Sequence, residues 1–540
     1  MSGESPTALR IGDASNWHFV NGHWQDGEDN LLKVSEAARA APGASLYQHQ
    51  YAFHRRLCYK DVRVQFAFRL KAHSDVGIML RASDESHFHL LHFPNCGQAC
   101  RAQHFWVALS RMDDTGYLKH VKLEMIRRVP SNAEIWLSAD VTLKGNRIGE
   151  RVGENGYFEA GGDLCFGAGH LGVFSTGGGE IRDLVIEGKP ARAAAWADEI
   201  SQPTNWFNPC PEPGYGPAQM PQDLVRLREG EILLSYTASE AMCVGTPRPF
   251  LSSSHDRGRT WSESEPLQVM QEDGGWLPAR LNLTPGGRLI GLVKAKEGHF
   301  IAESKDRGRT WSESAPVDFG PLPDGMSELH IGPQAFLNLA DGAMLLFLYG
   351  GHDLADPALT IGNWGAWHCR AYSVRSTDDG HTWSAPVNLD NSAGAGVSGQ
   401  AGSLDLTEVC AAQMGDGGVM ALIRPVYSPW MWETWSRDGG ATWGPCVRGP
   451  LPGYATPNML RMASGKVLVA HRLPSLTMHC SPDDGRTWDQ GTQIDSALWV
   501  MGCMAEVEPD VALYTYCVES LMSGQLIRVT PSGLEPIRRG

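Results

Sequence analysis

The sequence has few of the features that mark several large classes of protein. It contains 12 cysteines in 540 residues and no Cys-x-x-Cys pair, which is far below the density of a disulfide scaffold. It has no run of about 20 apolar residues, and its first residues lack the basic-then-apolar pattern of a signal peptide. We therefore expect a soluble chain, cytoplasmic as written, or secreted or periplasmic if a signal peptide has been removed.

Charge and short motifs exclude further classes. With 61 acidic and 46 basic residues the net charge is −15, whereas a nucleic-acid surface needs a basic face. The sequence has no phosphate-binding Gly loop of the P-loop or dinucleotide type and no Gly-x-Ser-x-Gly elbow. We expect no nucleic-acid partner, no membrane association and no cofactor.

One segment is rich in zinc-type ligands. Residues 87–104, HFHLLHFPNCGQACRAQH, contain His87, His89, His92, Cys96, Cys100 and His104. Their spacing fits no common zinc motif and alternates like a strand. We expect solvent-facing strand histidines here and no metal site.

The most informative feature is a repeated phrase. DRGRTWSES occurs at 256–264 and again at 306–314. Relaxed to Ser/Thr-x-Asp-x-Gly-x-Thr-Trp, the phrase occurs five times, at intervals of 50, 72, 60 and 45 residues, beginning at Ser254, Ser304, Ser376, Ser436 and Ser481. Asp can bond forward to the backbone, Gly supplies positive φ and Trp is an apolar anchor, so the phrase predicts a tight hairpin turn.

Each phrase is preceded by two apolar strands joined by a Gly-containing turn. These pairs lie at 221–236, 278–293, 333–349, 408–424 and 457–472, and a sixth pair at 503–517 lacks the closing phrase. Short strands repeating at this period are typical of a propeller. The sequence therefore predicts six blades within 205–540.

The phrase resembles the Asp box of the sialidase (neuraminidase) superfamily, and the resemblance covers about 200–540. It implies a six-bladed β-propeller in which the Asp boxes are structural turns on the face away from the active site. Residues 1–190 contain short strands such as VRVQFAFRL (62–70) and FHLLHF (88–93), and resemble the concanavalin-like (LamG-like) β-sandwich often attached to carbohydrate-active enzymes. We predict an all-β chain with this sandwich at 1–190, a linker at 191–204 and the propeller at 205–540.

Equivalent positions of different blades converge on the axis of a propeller. Counting from the turn glycine of each strand pair, the residues seven positions later are Thr237, Lys294, Tyr349, Arg424 and Arg472. The residues nine positions earlier are Pro221, Pro278, Pro333, Glu408 and Thr456. Charges at inward positions are usually kept for pairing or function, and converging guanidinium groups suit a carboxylate, phosphate or sulfate. The alternative is that the arginines are salt-bridged residues of the blade interfaces.

The sialidase resemblance selects the same residues. It implies that Glu408, at the start of an inner strand, is the family's site glutamate, and that Arg424 and Arg472 are two of its three substrate-binding arginines. The first arginine of the family is replaced by Gln219-Met220-Pro221.

Two further positions depart from the family. Met501 or its neighbours occupy the position of the nucleophilic tyrosine, although Tyr514 and Tyr516 lie further along that blade. The loop expected to carry the acid/base Asp contains Glu240 and no Asp.

Blade three offers other acid/base candidates. It carries Glu328, His330, His352 and Asp353 near the expected axial face, and a histidine or paired carboxylates can move protons without tyrosine. Trp430 lies between predicted strands and could be a sugar platform.

These residues lead us to expect an exo-acting glycoside hydrolase on a glycan that contains an acidic sugar. The candidate catalytic residues are Glu408, His330, Asp353, Glu240 and Tyr516. The candidate substrate-binding residues are Arg424, Arg472, Lys294, Tyr349, Gln219, His352 and Trp430. Two alternatives are open, a uronate-specific polysaccharide lyase on the same scaffold and a non-catalytic glycan-binding propeller.

Overall fold

The computed structural model describes most of the chain. The described residues are 7–10, 12, 14–20, 23–26, 31–35, 50–70, 74–95, 105–113, 117–126, 135–153, 156–161, 164, 167–176, 179–192, 196, 218–228, 230–239, 246–322, 326–353, 367–390, 406–425, 430–453, 456–472, 476–495, 500–518 and 521–537. Within them the only helix is a 3₁₀ turn at Ala14–Asn16, and the remaining regular structure is β. Helices suited by length and apolarity to crossing a membrane are absent from these residues.

Fifteen strands form the N-terminal part of the chain. The first eight are β1 (Thr7–Ala8), β2 (Trp17–Val20), β3 (His23–Asp26), β4 (Leu31–Ser35), β5 (Gln50–Tyr59), β6 (Val62–Arg69), β7 (Ser74–Asp84) and β8 (His87–Asn95). The next seven are β9 (Phe105–Met112), β10 (Leu118–Ile126), β11 (Leu137–Lys144), β12 (Arg147–Val152), β13 (Gly156–Gly161), β14 (Gly169–Thr176) and β15 (Glu180–Glu187).

These strands form two sheets packed face to face. One has the order β13-β12-β11-β6-β15-β4-β3, with β1 also paired to β15, and the other begins β2-β5-β14-β7-β8-β9-β10. Alternation along β6 places Val64, Phe66 and Phe68 in one core with Ile78 and Phe93 of the second sheet. The predicted N-terminal β-sandwich is confirmed. The predicted linker falls largely outside the described residues.

Six antiparallel four-stranded sheets follow in sequence order. Blade 1 has β16 (Ala218–Arg228), β17 (Glu231–Ser239), β18 (Arg248–Ser254) and β19 (Glu265–Pro266), followed by a hairpin of β20 (Gln271–Glu272) and β21 (Gly275–Trp276). Blade 2 has β22 (Ala279–Leu283), β23 (Leu289–Ala295), β24 (Gly298–Ser304) and β25 (Ala315–Val317). Blade 3 has β26 (Met326–Asn338), β27 (Met344–Asp353), β28 (Trp367–Ser376) and β29 (Val387–Asn388).

The remaining three sheets have the same order. Blade 4 has β30 (Leu406–Gln413), β31 (Val419–Pro425), β32 (Trp430–Ser436) and β33 (Val447–Pro452). Blade 5 has β34 (Asn458–Arg461), β35 (Val467–His471), β36 (Leu476–Ser481) and β37 (Thr492–Asp495). Blade 6 has β38 (Val500–Glu508), β39 (Val511–Val518), β40 (Leu521–Thr530) and β41 (Gly533–Pro536).

The six sheets close into a ring around an axial cavity. Blade 6 packs on blade 1 through a cluster that includes Tyr236, Cys503 and Met522. A cavity of about 750 Å³ is lined by the first strands of all six blades. The predicted six-bladed β-propeller is confirmed.

The sandwich is continuous with one blade. Strand β10 pairs antiparallel with β37, with Leu118 opposite Gln493 and Lys119 opposite Thr492, so one sheet runs from the sandwich through blade 5. The Tyr117 side chain enters the core between blades 5 and 6, where its hydroxyl donates to Gln525 Oε1 at 2.5 Å.

Each of the five repeated phrases forms the same kind of turn, which we call the Ser–Asp turn. It lies between the third and fourth strands of blades 1 to 5, at Ser254–Trp261, Ser304–Trp311, Ser376–Trp383, Ser436–Trp443 and Ser481–Trp488. In each, the Ser hydroxyl donates to Asp Oδ1 at 2.8–2.9 Å and the Thr hydroxyl donates to Asp Oδ2 at 2.5–2.7 Å. The phrase glycines have φ between +79° and +87°, as the phrase predicts for a tight turn.

Candidate functional site

The site candidates and the Ser–Asp turns lie at opposite ends of the blades. In an antiparallel four-stranded sheet the start of the first strand and the end of the second share one end, and the third-to-fourth connection lies at the other. Glu408 lies near the start of β30 and Arg424 near the end of β31. We call their end of the ring the axial face.

Glu408 is fixed by a cation and by a backbone amide. Arg424 Nη1 lies 2.8 Å from Glu408 Oε1, and both side chains are below a tenth exposed. The backbone N–H of Thr456 donates to Glu408 Oε2 at 2.6 Å. The β30–β31 register shifts between Leu406 and Val409, and such a bulge re-aims side chains. Both carboxylate oxygens are therefore held in one orientation.

Thr456 has an unusual conformation for this role. It is buried and has φ of +42°, a region that β-branched residues rarely adopt. Thr456 occupies in blade 5 the position that is proline in blades 1, 2 and 3. Proline has no N–H and its φ is fixed near −65°, so it could not make the bond to Glu408. Backbone strain of this kind clusters at functional sites.

Two other predicted binding residues are also buried near this end. Arg472 directly follows β35, in the position of blade 5 equivalent to that of Arg424 in blade 4, and is 4% exposed. Gln219 lies opposite Ala238 near the start of β16. Its buried Oε1 has no hydrogen-bond partner among the described residues.

Blades 2 and 3 contribute a partly exposed charged group. Lys294 Nζ donates to Glu328 Oε2 at 2.5 Å and lies 3.2 Å from His330 Nδ1. His330 Nε2 lies 3.0 Å from Glu328 Oε1. Since ammonium is only a donor, Nδ1 must be the acceptor and the ring proton must be on Nε2. The Lys294 hydrogen bond lowers the pKa of Glu328, and burial together with Lys294 lowers the pKa of His330.

Tyr349 connects these two groups. It lies opposite His330 in the β26–β27 register, and the two rings stack with centroids 5.3 Å apart. Leu345 and Phe347, on the same side of β27, pack in one core with the β30 residue Val409. Burial raises the pKa of Tyr349, the Glu408 charge raises it further, and Arg424 opposes both. Among the described residues the Tyr349 hydroxyl has no hydrogen-bond partner.

A second ion pair, which the sequence did not predict, lies near the axis. Arg280 Nη1 donates to the Gln222 carbonyl at 2.8 Å and lies 4.0 Å from Asp223 Oδ1. Its charge is also among those that lower the pKa of Tyr349. Arg280 lies seven residues before its turn glycine, and only the positions seven after and nine before were compared. The alternation of apolar and polar residues around Arg280 is the sequence signal that could have identified it as a strand residue near the axis.

Tyr516 does not belong to this site. It is fully buried in a core with Tyr117, and its hydroxyl donates to Asp495 Oδ2 at 2.8 Å and accepts from Gln525 Nε2 at 2.7 Å. These contacts join blades 5 and 6, and a buried hydroxyl held in this way does not fit a nucleophile that must reach a sugar. We therefore leave Tyr516 out of the proposed site.

Trp430 also packs against protein. The Arg448 guanidinium lies 4.9 Å above its ring, and Trp106 of the sandwich approaches edge-on at 6.3 Å. Trp430 is therefore part of the contact between sandwich and blade 4 instead of an open sugar platform.

The prediction that the histidines of the zinc-type segment face solvent is wrong for two of them. His89 and His92 are buried because β8 has a core on each face, and His92 bonds to Asp75 and Ser110. Among the described residues no three potential metal ligands form a group that could hold an ion. Cys96, Cys100 and His104 lie outside the described residues.

Three further candidates lie wholly or partly outside what the structure describes. Glu240 lies outside the described residues. His352 and Asp353 end β27, where His352 is opposite Met326, and only their backbone is described.

Comparisons with known proteins give structural similarity alone. No protein-family description and no curated protein sequence match the chain. Among solved structures, a protein of unknown function from Dyadobacter fermentans is 14% identical, with a TM-score of 0.47 over 62% of this chain and 99% of its own. The Hadza microbial sialidase Hz136 is 14% identical, with a TM-score of 0.43 over 91% of this chain and 95% of its own. An α-L-arabinanase from Penicillium chrysogenum is 13% identical, with a TM-score of 0.41 over 58% of this chain and 94% of its own.

Proposed function

We propose that the protein is an exo-acting glycoside hydrolase on a glycan that contains an acidic sugar. The observation that carries the proposal is Glu408, held by the Arg424 guanidinium and the strained Thr456 amide at the axial face. A buried ion pair is by itself weak evidence for stability, so an ion pair together with a hydrogen bond from a strained amide on one buried carboxylate favours a functional role.

The cations suit an acidic ring. A guanidinium binds two oxygens of a carboxylate in one plane, and the interaction is strengthened where water is excluded. Arg424 and Arg472 lie at equivalent positions, at the end of the second strand in neighbouring blades, and both are buried. In this proposal they bind the sugar carboxylate and so place the anomeric carbon near Glu408.

Tyr349, whose pKa is raised by burial and by the Glu408 charge, is the nucleophile in this proposal. In hydrolysis, Glu408 takes the phenolic proton as the oxygen attacks the anomeric carbon, and the glycosidic oxygen leaves with a proton from an acid of the site. Water then releases the sugar, and the phenol regains its proton. His330 stacks on Tyr349 and lies 3.0 Å from Glu328, so in this proposal these two residues carry the proton transfer.

A uronate lyase is the second candidate, because His330 stacks on Tyr349 beside Lys294. In β-elimination a base removes the proton next to the carboxylate, a cation stabilises the charge that develops, and the glycosidic oxygen leaves protonated. The product is an unsaturated sugar, lighter than the hydrolysis product by one water.

The test is a product screen by mass spectrometry on sialylated and uronate-containing glycans. It compares wild type, Glu408→Gln and the exposed control Glu313→Gln. Release of an intact acidic sugar by wild type and the control, but not by Glu408→Gln, is the expected result. A product lighter by one water establishes the lyase. Glycan binding without any product from wild type contradicts both and indicates a binding propeller.

A further inference from the structure

A chain of buried polar side chains crosses from the sandwich to blade 5. His92 Nδ1 lies 2.7 Å from Asp75 Oδ2, and His92 Nε2 lies 3.0 Å from Ser110 Oγ. Ser110 Oγ is 2.8 Å from His120 Nδ1, and His120 Nε2 is 3.4 Å from Thr477 Oγ1 in β36. All of these residues are buried.

The first three residues have the distances of a nucleophilic triad, but their surroundings exclude that role. Ser110 is 0% exposed, and its hydroxyl is shared between His92 and His120. With Asp75 as acceptor, His92 donates through Nδ1, Ser110 donates to His92, and His120 donates to Ser110. This leaves the His120 Nε2 lone pair facing the propeller.

Two more histidines of blade 5 lie next to this chain of buried polar side chains. His479 and His471 stack with ring centroids 5.0 Å apart. His479 Nδ1 lies 3.1 Å from the Asp489 carbonyl, and its buried Nε2 has no hydrogen-bond partner among the described residues. The His120 backbone N–H donates to the Gly491 carbonyl at 2.9 Å. An added Cβ on Gly491 would lie 2.8 Å from His479 Cε1, so this approach requires glycine.

The same segment of blade 5 leads into the proposed site. His471 is the last residue of β35, and Arg472 follows it directly. We propose that the boundary between sandwich and blade 5 is a pH-responsive latch, in which protonation of His120 and His471 loosens the β10–β37 pairing and displaces Arg472. The loosening stands by itself, whereas its effect on substrate rests on the proposed function.

The electrostatics give the direction of the response. Burial lowers the pKa of His120 and of His471 well below the ordinary 6.5, and the neighbouring histidines lower both further. Among the described residues, His92 and His479 act on the His120 ring, and His479 and His120 act on the His471 ring. Asp75 bonds to His92, and Asp489 lies 3.5 Å from His479. Both imidazoles are neutral while docked and take up protons once exposed. The docked form is therefore fully favoured above pH 6.5 and loses stability as the pH falls.

The latch can be tested by hydrogen–deuterium exchange at the paired segments of β10 and β37 between pH 7.5 and 5. After correction for intrinsic exchange, each proton taken up on opening raises the open population about tenfold per pH unit. With two histidines, wild type is expected to approach a hundredfold per pH unit below pH 6. His120→Gln and His471→Gln should each reduce this to about tenfold.

His54→Gln is the matched control. His54 is a buried sandwich histidine whose pKa is lowered to about 4, first by burial, and it packs on Trp17 away from blade 5. The His54→Gln variant should show the same pH dependence of hydrogen–deuterium exchange at β10 and β37 as wild type. A wild-type exchange rate independent of pH, or an unchanged dependence in both latch variants, overturns the proposal.

An activity measurement separates the latch from the proposed function. On any glycan that wild type converts, KM should rise more steeply toward pH 5 in wild type than in His120→Gln. If no glycan is converted, the proposed function fails, and the exchange data still decide the latch.

Discussion

The Glu408–Arg424 pair gives the sharpest test of the site as a unit. The perturbations are Glu408→Gln, Arg424→Met and the double variant. Glu408→Gln removes the charge but keeps an acceptor for the Thr456 N–H, so it isolates the ion pair. Because both partners are below a tenth exposed, either single change leaves one buried charge uncompensated. Each should lower the free energy of unfolding by about 3 kcal/mol, the low end for breaking a buried pair.

The double variant decides the reasoning. Once both charges are gone no unpaired ion is left, so the double variant should lose less than either single variant, about 1 kcal/mol, instead of the sum of about 6 kcal/mol. Urea unfolding at pH 7, followed by tryptophan fluorescence, measures all four proteins. If the loss of the double variant equals the sum of the two single losses to within about 0.5 kcal/mol, Glu408 and Arg424 are not coupled and the reasoning is refuted.

Two further predictions follow from burial and backbone geometry. Burial raises the pKa of Asp390 to about 6 although Arg370 Nη1 lies 3.5 Å from its carboxylate, so the folded state is favoured below about pH 4 and loses stability as pH rises to 6. Asp390→Asn should therefore add about 2 kcal/mol at pH 8 and almost nothing at pH 3.5, measured by urea unfolding. Gly440→Ala in a Ser–Asp turn should cost about 3 kcal/mol, since φ is +85° and the new Cβ would lie 2.4 Å from Leu345 Cδ2. Gly342→Ala, with the same φ and open space, should cost only about 1 kcal/mol, and equal thermal shifts would contradict the packing argument.

The blades could be predicted because their determinants are local. In each Ser–Asp turn the Ser hydroxyl and the Thr hydroxyl both donate to the Asp carboxylate of the same phrase. These bonds need no partner from another blade or from the sandwich, so the sequence signature persists at every occurrence, although a turn glycine also packs on a neighbouring blade, as Gly440 does on Leu345. Counting from the turn glycines then aligned Glu408 and Arg424, because a two-strand hairpin has a fixed register.

The sequence could not predict contacts between distant segments. Tyr516 has the side chain of a nucleophile, yet its surroundings include Tyr117, almost 400 residues earlier in the chain. His92 lies on a strand that alternates like a solvent-facing one, but a second core covers its other face. Trp430 resembles a sugar platform until Trp106 is placed against it. In each case the missing information was the face on which the sandwich docks.

Thr456 shows how a pattern across blades can carry chemistry that one blade does not. Blades 1 to 3 have proline at this position, whereas blades 4 and 5 have Glu408 and Thr456. Both departures occur in adjacent blades and are joined by one hydrogen bond, from the Thr456 N–H to Glu408. Arg424 of the same blade contacts one oxygen of the Glu408 carboxylate, and the next blade supplies the donor to the other oxygen. Proline has no N–H and could not be that donor. The positive φ of Thr456 is therefore best explained as the conformational cost of directing its N–H at Glu408.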